Sequence, residues 1–195
     1  MTESSLLSVD VRDLHINKSE LAQRLKTPVG FEHETVSECE EILKRICTPK
    51  YSFIKVKITT EDADTVFLDG LKVVSKDLFK NLRGCTDGYI MAMTLGMEVD
   101  RKILSFGITS PAKGFILDAV ASAYAESLAD HVSTIIADGK KLRPRYSPGY
   151  GDLSLDVQKD VLGILNADKL MGIKLGANML MTPKKSVTAI QGVEL

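Results

Sequence analysis

Residues 33–46, HETVSECEEILKRI, place Val36, Cys39, Ile42, Leu43 and Ile46 at helical spacing, and Pro49 follows shortly after their end. A shorter helix is expected over INKSELAQRL (16–25), where Asn17 or Ser19 supplies an N-cap. Residues 1–50 thus read as helical and surface-like. The period then changes. YSFIKVKI (51–58) alternates and is rich in β-branched and aromatic residues, which predicts a strand. VFLDGLKV (66–73) carries Asp69-Gly70, a hairpin signal between two short strands. Ser75 is placed to cap a short helix, KDLFKNL, and TDGYIMAMTLG (86–96) reads as a strand buried on both faces.

Two further helices are expected. One is MEVDRKILSF (97–106); the other, over 111–136, is the longest and has Pro111 near its start. In the long helix Phe115, Ile116, Ala119, Val120, Ala123, Leu128, Val132, Ile135 and Ile136 make a broad apolar face. Ser154 is a suitable N-cap for LDVQKDVLGIL (155–165), and Asn166 or Asp168 restarts a short helix. Residues 172–178 read as a turn, and SVTAIQGV (186–193) as a last short strand. Strands in the middle, helices on both sides and a returning strand give an α+β fold: an antiparallel twisted sheet with helices packed on it. A length of 195 residues suits one sizeable domain or two small ones; the pattern is read as one, with 1–50 as its N-terminal helical segment and 51–195 as its α+β core.

Composition narrows the function. A net charge of −1, no Trp and 6% aromatic residues argue against a nucleic-acid or membrane surface. The longest apolar run, YIMAMTLGM (89–97), is too short to span a bilayer, and MTESSLLSVDVRD has no basic region before an apolar run, so no secretory signal is expected. Three cysteines, none in C-x-x-C, predict reduced thiols in a cytoplasmic protein. There is no G-x-x-x-x-G-K, G-x-G-x-x-G, H-E-x-x-H or G-x-S-x-G, and His15, His33 and His131 are scattered. Neither a metal site nor a catalytic acid–base residue is expected.

Two stretches carry candidate chemistry. RPRYSPGYGDLSLDVQKDVL (143–162) spends two of the chain's six prolines and two of its five tyrosines within eight residues. Pro148 fixes φ, and Gly149 reaches conformations other residues resist and lets a ligand approach backbone closely. Arg145 offers a planar donor fork for a carboxylate, and Tyr150 a π-face and a hydroxyl. The set suits a ligand with a carboxylate, an aromatic base and a positive charge; on composition alone, an ordinary Pro/Gly connector with a salt-bridging Arg is the simpler reading. On the long helix, steps of three and four residues from Phe115 lead through Ala119 and Ser122 to Glu126, with Asp130 one turn on. Glu126 is there either a ligand carboxylate for amine or hydroxyl groups or a solvated helix residue. In TLGMEVDRKI (94–103), Glu98 and Asp100 fall in a first helical turn, where they complement the helix dipole.

The segment Arg145-Tyr146-Ser147-Pro148-Gly149-Tyr150, an R-x-x-x-G-Y following the Ala-rich helix ASAYAESLADHV, resembles the S-adenosylmethionine-binding motif of the reactivation domain of cobalamin-dependent methionine synthase. The likeness covers about residues 94–193, and TLGMEVDRKI resembles small stand-alone relatives of that domain. The resemblance implies a chain that binds S-adenosylmethionine and docks over a cobalamin carried by a partner, since no D-x-H-x-x-G is present here. In the family, an electron, commonly from flavodoxin, and the sulfonium methyl together restore methylcobalamin from inactive cob(II)alamin. By match to the motif, Arg145 would engage the methionyl carboxylate, the backbone around Ser147 and Gly149 would lie along the ligand, and Tyr150 would sit near the methyl. Glu126, on the matching helix, would bind amine or hydroxyl groups. The partner implied is a separate methionine synthase; other readings are service to another corrinoid methyltransferase, or a S-adenosylmethionine-binding module without turnover. The family's cysteine and histidine after the motif and its later tyrosine have no counterparts in GDLSLDVQ or at Ser186, Val187 and Thr188.

Overall fold

The computed structural model describes residues 4–28 and 34–194. Strand β1 (Leu7–Ser8), a 3-10 turn (Val11–Asp13), helices α1 (Lys18–Leu25) and α2 (Glu34–Ile46), and strands β2 (Lys50–Glu61), β3 (Thr65–Leu68) and β4 (Leu71–Val74) lead to α3 (Lys76–Leu82) and β5 (Asp87–Thr94). Then follow α4 (Met97–Thr109), α5 (Pro111–Ala137), α6 (Val157–Ile164), α7 (Ala167–Met171), β6 (Lys174–Leu175), β7 (Met181–Thr182) and β8 (Ser186–Gly192). The main sheet runs β4-β3-β2-β5-β8, with β1 also on β2, and every pairing is antiparallel. The α+β architecture expected from the sequence is present.

Local chemistry sets several boundaries. Asn17 Oδ1 accepts from the N–H groups of Ser19 and Glu20 and so starts α1. Asp69 and Gly70 have φ of 47° and 92°, the positive values a two-residue hairpin needs. Ser75 Oγ accepts from Leu78 N at 3.0 Å and caps α3.

The sheet separates two cores. Met91 and Met93 of β5 point toward α1, α2 and α5, packing with Leu21, Leu43, Leu117, Val120 and Leu128. Ile90 and Ala92 point the other way, toward α3, α6 and α7, among Leu78, Leu82, Val161, Leu162 and Met171. β5 is therefore buried on both faces, as its unbroken apolar run predicts.

Five expectations need correction. The first fifty residues are not merely surface-like: Val11, Leu14, Leu21, Cys39 and Leu43 are buried in the first core. On α5, Phe115 and Ile135 face solvent, at 57% and 40% exposure, while Leu117, Ala121, Tyr124 and Ala129 are buried. The helix is enclosed by α1, α2, α4 and the sheet, so its apolar residues no longer mark one side. Helix α6 begins at Val157, and Ser154 Oγ accepts from Asp156 N outside it. Residues 172–178 are not only a turn, because Lys174 and Leu175 pair with Thr182 and Met181. Asp100 does more than complement a dipole: it is 7% exposed and its Oδ2 accepts from Lys184 N at 2.6 Å, tying α4 to the approach to β8. Glu98 pairs with Arg101. His131 packs edge-on to Tyr51, and the His15 carbonyl accepts from Ser127 Oγ, while His33 lies outside the described residues. Cys39, Cys47 and Cys85 are free thiols.

Candidate functional site

The chain leaves α5 through Asp138 and Gly139, both at positive φ, and turns back along the outer edge of β8. Leu142 faces Val193 and Tyr146 faces Ile190, so the returning segment spans four residues where β8 spans three. The extra residue makes a bulge at an edge, next to Pro144, which has no N–H to offer a ladder. Tyr146 and Ile190 exchange both backbone hydrogen bonds, at 2.9 and 2.8 Å. Arg145, between the bulge and this pair, is thereby turned toward α5.

The next four residues form a β-turn. Tyr150 N donates to Ser147 O at 3.0 Å, Pro148 occupies the second position, and Gly149 has φ +90° at the third. Proline followed by a positive-φ glycine is the signature of a type II turn. Gly149 N donates to Leu153 O at 2.9 Å. The Tyr146 and Tyr150 rings meet edge-to-face at 6.2 Å, and Tyr150 remains 57% exposed.

Helix α3 fastens this loop from the opposite side. Asp152 accepts from Ser75 Oγ, Lys76 N and Asp77 N, so its carboxylate closes the start of α3. The Ser75 hydroxyl, together with these N–H groups, holds the Asp152 carboxyl below its ordinary range. Asn81 Nδ2 donates to Pro144 O at 3.2 Å, and Arg143 Nη2 to Arg83 O at 3.1 Å. Burial raises the Tyr146 phenol, with Asp77 and Asp152 adding to the effect.

Between α5, this loop and β8 lies an open cleft of ≈ 490 Å³, lined by Glu126, Ser133, Arg145, Ser147, Tyr150 and Gln191 among others. Its size is that of a small-molecule site. Arg145 Nη1 donates to Asp130 Oδ1 at 2.8 Å and to Ser133 Oγ at 3.0 Å, and Nη2 reaches Glu126 Oε2 at 3.4 Å. The Arg145 side chain is 22% exposed, Glu126 37% and Asp130 73%. The cleft therefore presents a fixed guanidinium, two adjacent carboxylates and an accessible phenol ring. That set can hold a zwitterion, with the carboxylate on the cation and the ammonium on the acids.

Of the five residues singled out in the sequence, the structure brings Glu126, Arg145, Ser147 and Tyr150 to this cleft. Gly149 is not on its lining; it shapes the turn, and a Cβ there would sit 3.3 Å from Leu155 Cδ1. Sequence reasoning passed over Ser133 and Gln191 on the cleft wall, and Asn81 and Asp152 behind it. Gln191 was detectable: it shares its strand face with Val187 and Ala189, where a polar side chain is out of place. A second cavity, of ≈ 510 Å³, lies between β2, the β3–β4 turn and α6. Its walls are largely aliphatic (Ile54, Val56, Leu68, Ile90), with Lys55, Asp69, Lys159 and Asp160 also on the lining, and none of the residues singled out for a ligand reaches it, so the site is assigned to the first cleft. Among the described residues no group of His, Cys, Asp and Glu could hold a metal ion, and no helix is long and apolar enough to cross a membrane.

No protein-family model matches the sequence, and no curated protein matches it. The structure is similar to a solved one, the crystal structure of the MetH reactivation domain bound to AdoHcy (S-adenosylhomocysteine). The TM-score is 0.73 at 12% identity, over 97% of this chain and 78% of that one. At that identity the likeness is one of fold: a curled antiparallel sheet with packed helices, shared with the MetH reactivation domain.

Proposed function

We propose that the chain binds S-adenosylmethionine in the α5–β8 cleft and serves as a reactivation subunit for a separate corrinoid protein, a cobalamin-dependent methionine synthase in the first instance. The observation that carries this reading is the convergence of Arg145, Glu126, Ser147 and Tyr150 on one cleft, on a fold whose solved relative is bound to AdoHcy. Arg145 takes the methionyl carboxylate, and Glu126, with Asp130 beside it, takes the amino group. The Tyr150 ring, exposed at the mouth, lies against the sulfonium end, where an aromatic face attracts a cation. Gly149 contributes by fixing the turn, since its N–H is engaged by Leu153 O.

The reaction asks little acid–base work of this chain. A corrinoid on the partner would supply the nucleophile for the sulfonium methyl and an external reductant such as flavodoxin the one electron, with S-adenosylhomocysteine leaving as the neutral thioether. The contribution of the cleft is to hold the methyl in line and to leave that side open for docking. Thermal melts with and without S-adenosylmethionine test the binding step: a concentration-dependent rise in Tm in wild type, absent in Arg145→Ala, is expected. Methyl transfer to a cobalamin-loaded synthase in the presence of reductant tests the rest. Binding without any such transfer would replace the subunit by a ligand-binding module.

A further inference from the structure

Ser133 and Gln191 form a hydrogen-bonded chain that ends on Arg145. Gln191 Nε2 donates to Arg143 O at 2.9 Å, which fixes the orientation of the amide. Its Oε1 must then accept, and Ser133 Oγ lies 2.9 Å from it. The Ser133 hydroxyl has one hydrogen, given to Gln191, so the serine oxygen is an acceptor toward Arg145 Nη1 at 3.0 Å. The proton order is thus set along the whole chain: Arg145 donates to Ser133, and Ser133 to Gln191. Gln191 is 5% exposed, so none of this is exchanged cheaply with water.

The same geometry decides which edge of the guanidinium is left. Ser133 and Asp130 occupy both hydrogens of Nη1. Nε makes no hydrogen bond among the described residues, and Nη2 has only the long 3.4 Å contact to Glu126. Nε and Nη2 together are the side-on fork that fits a carboxylate with two parallel bonds.

We propose that Ser133 and Gln191 are positioning residues for Arg145, holding its Nε–Nη2 edge toward the cleft so that the site selects adenosyl ligands bearing a free carboxylate. The proposal rests on the S-adenosylmethionine reading above and adds its specificity. Ligands with the adenosyl thioether but no carboxylate use the rest of the cleft and gain nothing from the relay.

The test is calorimetric titration of the full chain, as wild type, Ser133→Ala and Gln191→Leu, with two probes: AdoHcy and 5′-methylthioadenosine, which lacks the amino-acid end. Loss of the relay is expected to weaken AdoHcy by about tenfold, the cost of one lost charge-assisted hydrogen bond. Affinity for methylthioadenosine should stay at the wild-type value. Unchanged AdoHcy affinity in Ser133→Ala would overturn the proposal, as would equal weakening of both probes, which marks general damage to the cleft. If Gln191→Leu does not fold, Ser133→Ala, a small change on a helix surface, decides alone. Wild type that binds neither probe would instead overturn the ligand assignment on which the proposal stands.

Discussion

Leu117→Ala and Phe115→Ala make opposite demands on α5. The sequence pattern puts Phe115 on the apolar face, yet Phe115 is 57% exposed and Leu117 is 0% exposed. Phe115 and Glu126 are eleven residues apart, about three turns, so they share a side of the helix. The rotation that exposes Phe115 is therefore the one that gives Glu126 to the cleft. Truncating Leu117 removes about three methyl or methylene groups at about 0.8 kcal/mol each. The unfilled cavity adds to this, for a total of about 2–5 kcal/mol. In a chain of this size, each kcal/mol moves Tm by about 2–4 °C, so a drop of roughly 4–20 °C is expected. Phe115→Ala should cost within about 0.5 kcal/mol. Urea unfolding followed by circular dichroism, with thermal melts alongside, measures both. A Phe115→Ala loss matching that of Leu117→Ala would refute the rotation and move Glu126 off the cleft.

Other outcomes follow from the geometry of the loop and the surface. A Cβ at Gly151 would lie 2.5 Å from both Tyr146 Oη and Asp77 Oδ2 at φ +51°, so Gly151→Ala should cost about 1–3 kcal/mol in urea unfolding; an unchanged midpoint would show that the loop is not held against α3. Asp87 is brought from 3.8 to about 2, chiefly by its hydrogen bond with Lys57. A carboxyl lowered in the folded state stabilises above its unfolded pKa, so its contribution should be complete above about pH 4 and disappear as pH falls toward about 2. Comparing wild type with Asp87→Asn across that range should show the two converging in acid; a constant gap would contradict the assignment. Burial pushes the Cys47 thiol up to about 12 and raises Cys39 as well. Alkylation of the folded chain at about pH 8 should be far slower at both than in urea, read by mass spectrometry, and equal rates would argue against their burial.

What was legible in the sequence was local. The Asn17 and Ser75 caps and the Asp69-Gly70 hairpin each rest on bonds between near neighbours, so residue type alone locates them. The Ser147–Tyr150 turn was legible for the same reason, since proline then glycine specifies it. The α5 face was not, because partners on several sides bury the helix and erase the periodic contrast. The β6–β7 hairpin has two residues per strand, too few for an alternation. The cleft itself depends on distant pairs: Ser133 with Gln191 across 58 residues, Asn81 with Pro144 across 63, and Ser75 with Asp152 across 77. Only the fold brings these together.

The most direct measurement of the central claim is calorimetric titration of the wild-type chain with S-adenosylmethionine, beside Arg145→Ala and Tyr150→Phe. The expected result is saturable one-to-one binding, lost in Arg145→Ala because the carboxylate then has no guanidinium. Tyr150→Phe should keep most of the affinity, since the ring face remains. Absence of binding in wild type, or binding of equal strength in Arg145→Ala, would contradict the assignment of this cleft as the ligand site.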